Sequence, residues 1–323
     1  MSIKQEKLLA KNSVIDGQYR VLFFLKKGDY AESYRVEDQA GNTRFLKLIN
    51  YNKLHPTQLD NEGNILEIEI LKEIDHPNLV SYIDSNDVII NSERFAYFVL
   101  EFISGETLAE RMKREHTLPV FKAKQIIAGV LEGLKHLHNL FNPVIHNDIT
   151  NFNVMLDLSE EREQPKIIDF GYARYLNQPI KSFNKIGLNP FYQAPETFNK
   201  IYSQKSDLYS IGALFYHLLF GLPPWHIDIS EYEAKKGDME ERILKERQKP
   251  LKLFNIDSGI DEISQKVMTK ALFQHPEHRF KSADDFHNAL KGEVNLDIDQ
   301  DQENQSKLSK PAQEKTGDGL GAI

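Results

Sequence analysis

The stretch VIHNDITNFNVML, Val144 to Leu156, sets His146, Asn147, Asp148, Asn151 and Asn153 among apolar residues that favour burial. Buried polar groups cost free energy unless something satisfies them. These side chains therefore either cap and turn a loop or hold a ligand, and the rest of the chain decides between the two.

The bulk properties narrow the choice. A chain of 323 residues, 40% hydrophobic and 10% aromatic, has the make-up of a folded globular protein with one large or two small domains. A net charge of −8 gives no support for nucleic-acid binding. The absence of cysteine excludes disulfides, thiolate metal sites and cysteine nucleophiles. The opening MSIKQEKLLAK has no apolar core, so no signal peptide is expected. The longest apolar run, IGALFYHLLFGLPPW, is broken by His217 and ended by two prolines. It reads as a buried core helix, too short to span a bilayer. The expected location is the cytoplasm, with no membrane partner.

The first third reads mostly as strands. Tyr19 to Lys27, Glu32 to Asp38 and Thr43 to Asn50 are rich in aromatic and branched residues, with GDYA and QAGN as the turns between them. LDNEGNILEIEILKEID then shows a helical face at Ile65, Ile68, Leu71 and Ile74, which HPN stops. Two more strands follow, LVSYIDSNDVII and RFAYFVLEFI. From SGETLAERMKR onward helices dominate. The pattern predicts a β-rich lobe with one helix, over 18–103, and a helical lobe, over 104–291. Residues 1–17 read as an N-terminal extension, and the polar segment 292–323 as a disordered tail or linker.

Asp148 and Asn153 are spaced D-x-x-x-x-N, and KIIDFGYAR brings Asp169 after an apolar strand and before Gly171. A carboxylate placed as base, then an amide and a second carboxylate for magnesium, is the set that phosphoryl transfer needs. These residues, with others in order along the chain, resemble the eukaryotic-type (Hanks-type) protein kinase family over roughly residues 18 to 291. His146-Asn147-Asp148 plus Asn153 resembles the catalytic loop H-R-D-x-x-x-x-N. Asp169-Phe170-Gly171 (DFG) and Ala194-Pro195-Glu196 (APE) are unaltered. SDLYSIG, with Asp207, resembles the start of the large central helix, and HPEHRF supplies Arg279 as the usual partner of the APE glutamate. FLK gives Lys47 as the third-strand lysine, and counting back from LKEIDHPNLV gives Glu67 as its helix partner. Each motif alone is weak; seven in this order and spacing are strong.

The resemblance implies an α+β, bilobal protein-kinase-like fold and transfer of the ATP γ-phosphate to a protein hydroxyl, of serine/threonine type by default. It implies Asp148, Lys47 and Glu67 as catalytic residues and Asn153 and Asp169 as magnesium ligands. It places the nucleotide against Gly28, Ser33, Phe45, Lys47, Leu100, Glu101, Ile103 and Met155.

Each residue also has a plainer reading. Lys47 could guard an edge strand, yet it shares a face with Phe45 and Ile49 while Leu46 and Leu48 fill the other, and a buried lysine needs a partner. Glu67 has rivals in Glu62 and Glu69. Asp148 and Asn153 could be turn residues, and Asp207 a helix cap. Glu196 and Arg279 read as a buried structural pair, and His146 as an anchor rather than a base.

Several positions depart from the family pattern. The glycine-rich loop aligns to KKGDYAES, where only Gly28 survives, Lys26 and Ala31 take the outer glycine positions and Ser33 replaces valine. Phe45 stands where the family has alanine and should crowd the adenine. Asn147 replaces the arginine of H-R-D, Thr150 the lysine two residues past the aspartate, and Leu188 and Asn189 the Gly-Thr before APE. Such departures look more like a bacterial branch than an animal kinase. They leave two alternatives open: a pseudokinase acting as a nucleotide-binding or scaffold module, and a small-molecule kinase, although that class lacks the APE segment. The ending GDGLGAI resembles an interrupted linker, as if a further C-terminal domain followed.

Overall fold

The computed structural model describes residues 7–159, 161–178, 188–227, 239–251 and 259–298. Its first lobe is a six-stranded antiparallel sheet in the order β1-β2-β3-β4-β6-β5. These strands are β1 (Val14–Ile15), β2 (Tyr19–Lys27), β3 (Ala31–Glu37), β4 (Thr43–Asn50), β5 (Tyr82–Ile90) and β6 (Glu93–Glu101). β2, β3 and β4 fall within a residue of the spans expected from their aromatic and branched composition.

Helix α1 (Leu66–Glu73) crosses the inner face of this sheet, and the ends of its apolar pattern, Ile65 and Ile74, are its two caps. Asp60 accepts hydrogen bonds from Glu62 and Asn64, and Leu59 pairs with Ile65 as an isolated bridge. Asp and Asn side chains compete with the helix for its backbone donors, so these residues turn instead of coiling.

Both faces of the sheet are covered. The inner face joins the main core through Ile49, Phe98 and Leu100. The outer face forms a second core of Tyr34, Val36, Leu46, Leu48, Phe95, Tyr97 and Val99, roofed by Leu9 and Ile15. Part of the segment set apart as an extension thus belongs to the sheet: β1 pairs with β2, Leu8 N–H donates to Glu32 Oε2 (3.0 Å), and Leu9 N–H donates to the Tyr34 hydroxyl (3.1 Å).

The chain enters the second lobe at β7 (Gly105–Thr107), which pairs with β9 (Val154–Asp157), itself paired with β10 (Gln164–Ile167). Helix α2 (Leu108–Glu115) starts on a reciprocal cap between Thr107 and Glu110. Helix α3 (Val120–His138) leads to the short pair β8 (Val144–Ile145) and β11 (Arg174–Tyr175). Helix α4 (Gln204–Phe220) is buried on nearly every side, as its continuous apolar run predicts. Gly212 lets α4 approach its neighbour: a Cβ there would lie 2.6 Å from that of Ala271. Helices α5 (Met239–Glu246), α6 (Glu262–Ala271) and α7 (Ala283–Lys291) complete the lobe. Residues 293–298 follow, with Leu296 packed on the main core and Ile298 buried; 299–323 lie outside the described residues.

Candidate active site

Between the lobes lies a cleft of about 540 Å³. Its roof is the inner face of the sheet, where β4 alternation points Phe45 and Lys47 inward, and Leu100 stands opposite Phe45 in the ladder. Ser33, Glu101, Ile103 and Met155 also line it, as do Asn153 and Asp169. Of the expected nucleotide contacts, Gly28 alone lies outside this lining. It closes the β2–β3 hairpin, donating its N–H to Ala31 O (2.8 Å), and a Cβ there would meet Ala31 O at an ordinary 3.6 Å. Nothing local therefore compels glycine at this position.

Lys47 Nζ donates to both carboxylate oxygens of Glu67, at 2.7 and 2.9 Å, and lies 3.5 Å from Asp169 Oδ1. Burial opposes a charge on Lys47, but Asp169 and Glu67 together hold its pKa well above the usual lysine value. Glu67 is buried in the first turn of α1, whereas its rivals face away: Glu62 is exposed in a turn and Glu69 pairs with Lys72.

The opening stretch forms the loop between β8 and β9. Asp207 fastens it, accepting from the backbone N–H of His146 and of Asn147 at 2.9 Å each and lying 3.1 Å from His138 Nε2. His146 is fully buried, edge-on to Phe170 at 5.0 Å, and burial pushes its pKa down, so it is a neutral anchor. Thr150 is buried and caps the turn by accepting from Phe152 N–H (3.2 Å). Asn147 spends its amide on Tyr172 O (3.1 Å). Asn153 Nδ2 donates to the Asp148 carbonyl (2.9 Å) and to its Oδ2 (2.6 Å), which leaves the Asn153 carbonyl as an oxygen donor towards the cleft.

The two aspartates are driven apart electrostatically. Burial, with the charge of Asp169 behind it, pushes Asp148 up to about 7 against the Asn153 hydrogen bond. The Lys47 ammonium overrides burial and holds Asp169 at about 2. Such a separation suits one carboxyl to accept a proton near neutrality and the other to remain an anion. Asp169 sits at φ 61°, a backbone conformation that costs a non-glycine residue energy and marks functional turns. Next to it, a Cβ on Gly171 would come within 2.7 Å of the Tyr30 hydroxyl.

One ionised carboxylate and one amide oxygen suit magnesium, which keeps several waters and takes its remaining ligands from phosphate oxygens. No group of three or more His, Cys, Asp or Glu side chains placed to hold a metal occurs among the described residues.

Glu196 and Arg279 meet through two bonds, 2.7 and 2.8 Å, and Arg279 also donates to the carbonyls of Phe273, Lys205 and Gln274. This pair lies in the base of the helical lobe, away from the cleft lining.

Three features escape the motifs. Glu101 is bound through its side chain: Lys166 Nζ (2.8 Å) and Ser81 N–H (2.8 Å) both donate to it, tying the lobes together. Tyr30, at the hairpin tip, brings its ring 5.5 Å from Lys47 Nζ. Lys26 lines the cleft, although simple alternation from Phe24, which packs in the outer core, assigns it to the outer face. A bulge between Phe24 and Lys26 reverses the alternation.

Comparison with known proteins gives this geometry a family. Among characterised relatives, calcium-dependent protein kinase 4 of Plasmodium berghei (strain Anka) is 29% identical over 228 residues, 70% of this chain and 41% of the relative. Calcium-dependent protein kinase 3 of the same organism is 27% identical over 289 residues, 86% of this chain and 48% of the relative. "Probable serine/threonine-protein kinase fhkD" of Dictyostelium discoideum is 28% identical over 226 residues, 65% of this chain and 29% of the relative. The chain thus spans less than half the length of these relatives. The profile described as "Protein kinase domain" matches residues 19–291, from the start of β2 to the end of α7, and the chain belongs to that family.

Proposed function

We propose that the chain is an active, magnesium-dependent protein kinase that transfers the γ-phosphoryl group of ATP to a serine or threonine hydroxyl. The observation that carries this reading is the set Lys47–Glu67–Asp169, joined in one cleft that Asn153 also lines, with Asp148 bonded to Asn153 just outside that lining. Protein kinase family members use ATP and magnesium generally. The serine/threonine assignment rests on the printed name of the Dictyostelium relative and on the absence of tyrosine-kinase signatures in the sequence.

In this reading Lys47, fixed by Glu67, holds phosphate oxygens. Asp169 and the Asn153 carbonyl hold magnesium, which would neutralise charge developing on the transferred group. Asp148, positioned by Asn153, orients the acceptor hydroxyl and takes its proton, for which a pKa of about 7 is suited. The apolar roof of Phe45 and Leu100 takes the base.

A second reading, a nucleotide-binding module without transfer, is favoured by the hairpin, where Lys26 and Ala31 replace glycines and Gly28 lies outside the cleft lining. Incubation with magnesium and ATP, followed by mass spectrometry of the chain and of acceptor proteins, separates the two. Phosphoserine or phosphothreonine is expected, and Asp148→Asn should remove it by about 10²- to 10⁴-fold while retaining nucleotide. Nucleotide binding with no phosphate transfer to any acceptor would establish the second reading.

A further inference from the structure

The ladder places Lys26 opposite Ser33, Ser33 opposite Lys47 and Lys47 opposite Phe98. Residues directly opposite one another in a sheet project to the same face. Lys26, Ser33 and Lys47 therefore form one row across the cleft roof, and all three line the cleft. Two strand spacings separate the lysines, roughly 10 Å, and the small Ser33 leaves the space between them open.

The two neighbouring hairpin lysines are treated differently. Lys27 is on the outer side, paired with Glu32 at 3.0 Å. Lys26, turned inward by the bulge, makes no ion pair among the described residues, and its side chain is exposed to the cleft. Lys47 is already neutralised by Glu67. The roof thus carries a second cation that no ion pair among the described residues holds, at a position where the family pattern has a glycine.

Resting on the reading of this cleft as an ATP site, we propose that the Lys26 ammonium is a phosphate-binding group, clamping the nucleotide's triphosphate from the hairpin side while Lys47 holds it from the helix side. A side-chain charge there takes over work that backbone N–H groups do in a glycine-rich loop. The bulge at Leu25 is the structural device, because without it the ammonium would point to the outer core.

The test is direct binding of adenosine, ADP and ATP, each with and without magnesium, to wild type, Lys26→Met and Lys26→Arg, with melting temperatures as the folding control. Lys26 is exposed at a hairpin end, so both variants should fold. Wild type should bind ATP more tightly than adenosine. Lys26→Met should lose about tenfold of the ATP affinity, the equivalent of one charge-assisted contact, and leave adenosine unchanged. Lys26→Arg should retain most of it. The ATP affinity of wild type should also fall more steeply with salt than that of Lys26→Met. If Lys26→Met keeps both the ATP-to-adenosine ratio and the salt slope of wild type, the inference is overturned while the ATP site stands. If wild type binds neither nucleotide, the ATP reading itself fails, and the inference with it.

Discussion

Replacing Glu196 with alanine removes the sole carboxylate bonded to Arg279 among the described residues, and the Arg279 side chain is 0% exposed. Two charge-assisted bonds of 2.7 and 2.8 Å are lost at once. Breaking a buried pair typically costs about 3–5 kcal/mol. Two local features decide where in that range this site falls. The carbonyls of Phe273, Lys205 and Gln274 continue to accept from Arg279, which moderates the loss. Against that, Arg247 is a second buried guanidinium on the same ring, the two lying 5.4 and 4.8 Å from the Tyr209 centroid. Among the described residues Arg247 donates only to Pro190 O and its buried Nε and Nη1 have no partner, and burial pulls its pKa down. With Glu196 gone, two cations would share one buried ring with no counter-charge. We expect about 4 kcal/mol, which in a domain of this size lowers the melting temperature by roughly 8–12 °C. Thermal unfolding followed by circular dichroism measures it, and urea titration gives the free energy independently. Below the transition, phosphate transfer should change little. Glu196→Leu combined with Arg279→Met should recover part of the loss, because neither charge is then stranded. If Glu196→Ala melts within 2 °C of wild type by the same assay, on the scale of the shift expected here, the pair contributes nothing and the reasoning is wrong.

Three further outcomes follow from the same structure. Burial lowers His217 to about 4, where it faces the Tyr192 hydroxyl. Because its folded pKa lies below the unfolded value of about 6.5, the unfolded chain binds more protons between them, and stability falls as the pH is lowered: about 1.5 kcal/mol should be lost from pH 6.5 to 5, and His217→Gln should flatten that slope in pH-dependent urea melts. Phe45→Ala should preserve or tighten nucleotide binding by widening the roof; a tenfold weakening with an unchanged melting temperature would mean that the ring stacks on the base. Phosphatase treatment should leave activity within a few fold, since Asn147 carries no charge to clamp a phosphorylated residue and is committed to Tyr172 O; of the two hydroxyl residues in the segment 175–189, ahead of APE, that could carry a phosphate, Ser182 lies outside the described residues and Tyr175 donates to Glu73 (2.9 Å).

Much of this molecule is written locally. The strands over Tyr19–Lys27 and Thr43–Asn50 announce themselves because branched and aromatic residues alternate between turn signals. The cleft residues are legible because their order and spacing resemble the motifs of the protein kinase family. What escapes the sequence depends on pairing at a distance. β7, β8 and β11 span two or three residues, too few for any periodicity to show. Arg247, just past the end of α5, belongs to no motif and is 2% exposed. The inward turn of Lys26 comes from a register shift against β3, which no local pattern encodes.

The covering of the outer sheet face by the N-terminal segment links two parts of the chain that the motifs treat separately. Leu8 and Leu9 are hydrogen-bonded to Glu32 and Tyr34, and Tyr34 donates to Glu32, so the segment is fastened to the hairpin that overhangs the cleft. Amide protons of residues 8–21 and of that hairpin should then exchange with solvent as one cooperative unit, because neither can peel away without exposing Leu9, Ile15 and the core beneath them. A force applied at Leu8 would be felt first at the hairpin that overhangs the cleft, because Leu8 and Leu9 are bonded to β3.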